Sequence, residues 1–268
     1  MKKKFKFGVI GAGFMSTAII NGILNAKLLN PKQILVSDVN SESLNRASSL
    51  GVNVSSDNNY LSKNCEFLMF AVKPQSLESV LNSITDFNCE KIITIMAGVK
   101  KAKIKKYFCN AKIARCMPNT PCSISCGAVG LDVTDYDNTS DINFIKNLLS
   151  SIASVVLVDE DKMNVVTGVS GSSPAYFYLF LKGIIEAGVN NGLSENEALT
   201  LACNTMIGAG KMVLSNPDKN IDDLINAVCS KGGTTIEAIK KFNEFELNEI
   251  TKKAIDACIS RAIELENL

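Results

Sequence analysis

A chain of 268 residues that is 46% hydrophobic carries enough apolar material for one large or two medium domains with a substantial core. Its 28 basic and 27 acidic side chains nearly cancel, leaving +1, so nothing in the charge points to nucleic acid or an anionic membrane as a partner. Histidine is absent, which removes Ser-His-Asp and Cys-His hydrolases, His-ligated metals and any histidine general base.

The basic start, Lys2-Lys3-Lys4, runs into an apolar stretch that stops at Gly11, too short for a signal-peptide core or a membrane span. A cytoplasmic protein is the simple expectation. Residues 5–10 predict a strand, Gly11-Ala12-Gly13 a tight turn and residues 14–26 a helix. Strand, glycine turn and helix start are the parts of a pyrophosphate site. The glycines let the backbone approach the anion, and the new helix offers free N–H groups and the positive end of its dipole. Glycines also punctuate ordinary strand-to-helix turns, and Ser16 stands at the third small position of the pattern. A second apolar run, 33–37, ends at Asp38. Its distance from Ser16, about twenty residues, is that of the acid that holds a dinucleotide's ribose.

Further strands are expected at 66–72, 91–96, 112–116, 128–131 and 154–158, with helices at 41–49, 75–83, 100–108 and 140–151. Alternating units with short connections imply a doubly wound parallel sheet. The near-continuous apolar runs suit strands buried on both faces. Two stretches fall at strand ends, where ligands of such sheets bind. Phe70-Ala71-Val72-Lys73-Pro74 offers a lysine to a phosphate, a carboxylate or a cofactor amide, or leaves it in solvent. Arg115-Cys116-Met117-Pro118-Asn119-Thr120-Pro121 makes a rigid loop, either part of a site or a structural turn.

Beyond about residue 160 the chain reads as helices. They run from Ser172-Ser173-Pro174 to 189, from a Ser194/Glu197 capping box to 214, over 222–230, from a second capping box at Thr234/Glu237, and over 247–265. The expected division is a dinucleotide-binding domain at 1–160 and a helical domain at 161–268. Small residues at 183–188 and 207–210 ask for close backbone packing, within the chain or across a dimer. Apolar helices with few other surfaces to cover them favour the dimer. In Ser230-Lys231-Gly232-Gly233-Thr234-Thr235, backbone N–H groups beside hydroxyls outline a small carboxylate site, or a plain helix–helix connection. The nine cysteines are odd in number and scattered, with no C-x-x-C pair. Reduced thiols, and no metal site, are expected.

The ordered set GAGFM, AVKP, RCMPNTP, VSGSSPAYFYLF and SKGGTTIEAI resembles the pyrroline-5-carboxylate reductases over residues 7–261. The resemblance implies a Rossmann domain followed by a helical domain interlocked in a homodimer, with decamers in some members. It implies reduction of the cyclic imine 1-pyrroline-5-carboxylate to L-proline with NADPH or NADH. Carried onto this chain, it gives Gly11, Ala12, Gly13, Phe14 and Met15 to the pyrophosphate. Asn58, Ala71, Val72, Lys73, Pro74 and Ala97 go to the nicotinamide–ribose region. Asn119 and Pro121 would floor the space between cofactor and substrate, with Glu160 near the substrate. Ser230, Gly232, Gly233, Thr234 and Thr235 would take the substrate carboxylate in a loop that meets the other subunit's cofactor domain. Thr235, beside the imine nitrogen, and Lys73 are the catalytic candidates.

The chemistry suits a chain without histidine, because a protonated iminium needs only a threonine and water. Ser16, Ser173 and Lys231 depart from the common pattern, standing where glycine or alanine, glycine and proline are usual. Asp38 suits the ribose hydroxyls of NADH and repels the 2′-phosphate of NADPH, so NADH is expected to be used at least as well. Competing readings are a β-hydroxyacid dehydrogenase or another imine reductase, a nicotinamide-binding regulatory protein without catalysis, and a structural helical dimeriser. SKGGTT argues against the hydroxyacid enzymes, and Thr235 and Lys73 against the regulatory protein. The last leaves the glycine turn and Asp38 unexplained.

Overall fold

The computed structural model describes residues 3–267. Strand β1 (Phe5–Ile10) leads through the glycine turn into helix α1 (Phe14–Asn25), followed by β2 (Ile34–Ser37), α2 (Ser41–Ser49), β3 (Asn53–Ser55) and α3 (Asn58–Asn64). Then come β4 (Cys65–Phe70), α4 (Leu77–Ser83), β5 (Lys91–Thr94), α5 (Lys101–Lys105) and β6 (Lys112–Pro118). β7 (Gly127–Asp132), α6 (Thr139–Ser150) and β8 (Ala153–Leu157) complete the strands, and α7 (Met163–Val166) follows. After a π-helical turn, Thr167–Gly171, the chain continues as α8 (Ser173–Asn190), α9 (Glu195–Leu214), α10 (Ile221–Val228), α11 (Thr234–Glu244) and α12 (Leu247–Glu266).

All eight strands form one sheet in the order β3-β2-β1-β4-β5-β6-β7-β8. The first six are parallel, but β7 runs antiparallel to β6, and β8 is parallel to β7. This corrects the all-parallel expectation at the far edge. The β6–β7 connection is one 3-10 turn, Thr120–Ile124, closed by Ser125 in the left-handed region at φ 57°. A parallel crossover needs about a dozen residues or more, so this short link returns the chain as a hairpin would.

Central strands bury both faces. Phe7 and Val9 face Ile19, Ile20 and Ile23 of α1, while Phe5 and Ile10 share the opposite cluster with Leu61, Leu68 and Phe70. Phe7, Phe67 and Phe70 are fully buried, and each such side chain stabilises the fold by about 1.5–3 kcal/mol. The expected strand at 66–72 ends at Phe70, which frees Ala71 to Pro74 as a loop. The expected helix at 100–108 is regular only over Lys101–Lys105.

Two compact units divide the chain. One runs to Pro174 and takes back the segment from Cys258 onward, and the other is Ala175–Ala257. The second is wholly helical. The Ser194/Glu197 capping box forms as expected. The second one does not: Gly233 is the N-cap of α11, with no side-chain cap bond, and Thr234 is already helical. Gly183, Gly208 and Gly210 face open space rather than a neighbouring backbone. Phe177, Leu179, Leu201, Ile207 and Leu214 are exposed, and a groove of about 760 Å³ lies among Phe180, Ile184, Phe242 and Ile250. Gly188 does pack within the chain, since a Cβ there would lie 3.1 Å from Ala198 Cβ, but such contacts do not account for Gly183, Gly208 and Gly210, and an apolar surface of this extent marks an interaction face. Among the described residues, no helix is long and apolar enough to cross a membrane. All nine cysteines are free.

Candidate active site

The strand order reverses between β1 and β4, and the loops after these two strands meet there. The Ala71 N–H donates to Ile10 O at 2.8 Å, and the Gly11 N–H to Ser37 O at 2.7 Å. Gly11 has φ +102°, and a Cβ there would lie 2.6 Å from Ala71 O. Only glycine fits both the angle and the approach. Gly13, the N-cap of α1, has no side-chain cap bond, and the first turn of α1 holds no acidic residue. A Cβ on Gly13 would meet nothing within 4 Å. The turn thus leaves helix N–H groups uncovered beside an open backbone, which fits a pyrophosphate at a topological switch point. Ser16 is buried at 1% exposure, and its hydroxyl donates to Gly13 O at 3.0 Å. A small hydroxyl there serves packing and turn together. Phe14 is exposed, and Met15 packs against the core.

Asp38 sits just past β2. Its Oδ2 accepts the Ala12 N–H at 2.7 Å, and its Oδ1 accepts the Asn40 N–H at 2.8 Å. The carboxylate that would meet the ribose therefore also braces the glycine turn. Asn58, at the start of α3, accepts from the Ser37 hydroxyl and donates to Ser83 Oγ at 3.0 Å, which ties the end of β2 to the end of α4.

Lys73 is exposed at the loop after β4, where Pro74 opens a 3-10 turn. Ala97 follows β5 and is exposed. Pro74, Ala97, Gly98, Val99, Thr167 and Leu265 line a cavity of about 400 Å³.

Asn119 staples the loop after β6. Its Oδ1 accepts the Ala128 N–H at 3.0 Å, and its Nδ2 donates to Ser170 O at 3.4 Å. Ser170 O is available because Pro174, four residues on, has no N–H to give it, and the local turn closes instead as Ser172 N–H to Thr167 O at 2.9 Å. Pro121 is half-buried beside Asn119. Glu160 is engaged within the protein: its Oε1 accepts the Lys101 N–H at 2.7 Å and pairs with Arg115 Nη1 at 3.2 Å. Arg115, 3% exposed, also holds Glu266 Oε1 at 2.9 Å. Neither Arg115 nor Glu266 is legible as a partner from the motif alone.

In the helical unit, the Gly233 N–H donates to Ser230 O at 3.0 Å, with Gly232 at φ +74°. This fits a type II turn with Lys231 at its second position. A Cβ on Gly233 would lie 2.4 Å from Ser230 Oγ. Thr234 and Thr235 are exposed in the uncapped first turn of α11, so N–H groups and two hydroxyls face outward together. Among the described residues, no cluster of His, Cys, Asp or Glu could hold a metal ion.

A switch-point glycine turn, a carboxylate just past β2 that braces it, and a cavity beside the strand ends define a dinucleotide-binding oxidoreductase fold. Residues 6–98 match the family model described as NADP oxidoreductase coenzyme F420-dependent, and residues 160–265 match pyrroline-5-carboxylate reductase dimerisation. The pyrroline-5-carboxylate reductase of Haemophilus influenzae is 36% identical over 97% of both chains, and that of Methanosarcina acetivorans 33% identical over 97% of both. Among solved structures, a Coxiella burnetii pyrroline-5-carboxylate reductase superposes with a TM-score of 0.88 at 30% identity, covering 98% of this chain and 99% of that one. A Plasmodium falciparum pyrroline carboxylate reductase with NADP bound gives 0.87 at 27% identity, covering 99% and 100%. The chain belongs to the pyrroline-5-carboxylate reductase family and carries its dimerisation domain.

Proposed function

We propose that this protein reduces 1-pyrroline-5-carboxylate to L-proline as a homodimer built through the helical domain. The observation that carries this reading is the approach of Gly11 to Ala71 beside the uncapped start of α1, in a chain of this family. When bound, a reduced nicotinamide nucleotide supplies the hydride. Gly11 and Ala12, whose own N–H groups go to Ser37 O and Asp38 Oδ2, bring the backbone against the pyrophosphate, and the N–H groups of Gly13, Phe14 and Met15 at the start of α1 hold it. Asp38 receives the ribose hydroxyls, so NADH is used at least as well as NADPH. Ala71, Val72, Lys73, Pro74 and Ala97 border the nicotinamide half, and Asn58 braces that edge. Asn119 and Pro121 form the floor.

The uncapped turn Gly233-Thr234-Thr235, with Ser230 and Gly232 shaping it, takes the substrate carboxylate and meets the cofactor half of the partner subunit. The Thr235 hydroxyl hydrogen-bonds the imine nitrogen, and it or water delivers the one proton needed. Orientation is the loop's main contribution. Glu160 acts near the substrate through the cluster that already holds one of its oxygens. The functional halves are 1–160 and 161–268, and further assembly of dimers into a decamer is compatible with this plan.

The test is oxidation of NADH and NADPH with 1-pyrroline-5-carboxylate, on wild type and Thr235→Ala. Turnover that collapses in the variant supports the reading. No turnover with either nucleotide, in protein shown to bind one, overturns it.

A further inference from the structure

We propose that the last turn of the chain, Leu265–Glu266, is a wall of the nicotinamide pocket, and that Glu266 is the positioning residue that holds it there. The inference rests on the cofactor reading above and adds a part of the site that no motif contains. Asp38 fixes the adenosine side at the end of β2, and the glycine turn fixes the pyrophosphate at β1. A dinucleotide lying across the switch point then extends its other half over the ends of β4 and β5. The 400 Å³ cavity opens beside those strand ends, with Pro74 from the loop after β4, Ala97 and Gly98 from the loop after β5, and the charged Glu78 of α4 and Lys103 of α5 next to them. Its far side is built by Leu265 and Ala262 of α12 and by Thr167. Gly98, at φ +67°, brings its backbone so near that an added Cβ would lie 3.6 Å from the Glu266 nitrogen.

Three groups converge on the Glu266 carboxylate, whose side chain is 6% exposed. Arg115 Nη1 stands 2.9 Å from Oε1, and Lys100 Nζ 3.2 Å and Asn164 Nδ2 2.9 Å from Oε2. Arg115 also reaches Glu160, whose Oε1 takes the Lys101 N–H. The Lys101 ammonium is in turn buried against Asp132 at 2.6 Å and Asp135 at 3.0 Å. The segment from Ala97 to Lys101 is therefore clamped from behind by charge, and Glu266 docks the final turn of α12 onto it. A buried carboxylate with this many partners fixes one position rather than a range. Leu265, half exposed, lines the cavity next to the docked Glu266 and lies against Gly98.

The test compares NADH with ADP-ribose, which keeps the adenosine and pyrophosphate but lacks the nicotinamide. Binding of each is measured by calorimetry on wild type, Glu266→Gln and Leu265→Ala, with steady-state kinetics alongside. The expected result is an NADH Kd raised about tenfold or more in both variants, with ADP-ribose binding kept within about twofold, and kcat lowered with it. Leu265→Ala removes only the wall and leaves the charge cluster whole, so it answers should Glu266→Gln lose its fold. ADP-ribose and NADH weakened equally, or neither weakened, in Leu265→Ala overturns the inference. Wild type that binds neither nucleotide would instead sink the cofactor reading itself.

Discussion

The Ala12 N–H donates to Asp38 Oδ2 at 2.7 Å, so the residue proposed to set cofactor choice is also a strut of the turn proposed to hold the pyrophosphate. Asp38 therefore cannot be exchanged for specificity alone. Hydrogen bonds to a charged group are worth about 1.5–3 kcal/mol. Asp38→Ser is expected to weaken NADH by about tenfold or more and to relax discrimination against NADPH. NADPH efficiency in the variant should stay below the wild-type NADH value, because the turn is loosened for both. Kinetics with the two nucleotides decide it, and a variant that gains NADPH use with undiminished NADH use would refute the double role.

Gly11 and Gly13 lie two residues apart but differ in what a methyl group meets. At Gly11 the backbone is left-handed and Ala71 O lies in the way. Gly11→Ala is expected to cost on the order of 1–3 kcal/mol, or more, and to lower the Tm. At Gly13, with φ −77°, space is open. Gly13→Ala should fold within about 0.5 kcal/mol of wild type and yet bind the nucleotide more weakly, since its methyl points into the open space where the phosphate is proposed to lie. Thermal unfolding beside nucleotide titration separates the two. Equal Tm losses would show that Gly13 is structural.

The first strand, glycine turn and helix were legible because their chemistry is local and their apolar pattern unbroken. β3 and α3 were not. Asn53-Val54-Ser55 is a polar edge strand, and Asn58–Asn64 is a polar helix whose start is set by the Asp57 cap. The reversal at β7 had a signal in the short span between Pro118 and Gly127, too few residues for a crossover. Arg115 was visible as part of a motif, but its partner Glu266 lies at the far end of the chain, where no spacing argument reaches. Glu160 was placed near the substrate by resemblance, and the charge cluster that engages it could be seen only in three dimensions.

The Ser230–Gly233 turn has lysine at its second position, where proline's fixed φ is favourable and the N–H is not required by the turn. Lys231→Pro is expected to stabilise the protein by about 0.4–1 kcal/mol by restricting the unfolded chain. That is a Tm rise of a few degrees at most. A fall in Tm would mean that the turn is not of this type. The substitution also removes a cation beside the proposed carboxylate site, so the KM for the imine should rise while the Tm rises, two effects that move independently only if the loop binds substrate.

Glu266 gives the acid side of the stability profile. Burial alone would raise its pKa, but hydrogen bonds from Asn164, Arg115 and Lys100 outweigh burial and hold it below the ordinary glutamate range. Asp135 behaves alike: desolvation opposes ionisation, and Lys105, Lys101 and the Ile113 N–H overcome it. A depressed carboxylate contributes stability that is present above its unfolded pKa and is lost as pH falls through the folded value. Wild type should therefore hold a flat Tm down to about pH 5 and lose stability steeply below about pH 4. Lys101 has the opposite sign. Burial lowers its pKa, but Asp132 and Asp135 outweigh burial and raise it, so its contribution persists through neutral pH and is lost only at strongly alkaline pH. Glu266→Gln should destabilise the protein at neutral pH by about 2–3 kcal/mol, read as a lowered Tm. That is less than the 3–5 kcal/mol of a fully orphaned buried charge, because Glu160 still faces Arg115. The variant should also approach wild type as the pH drops, since both then lack the charge. Parallel acid limbs, with the gap unchanged from neutral pH to pH 3, would mean that Glu266 contributes through packing and not through its ionised carboxylate.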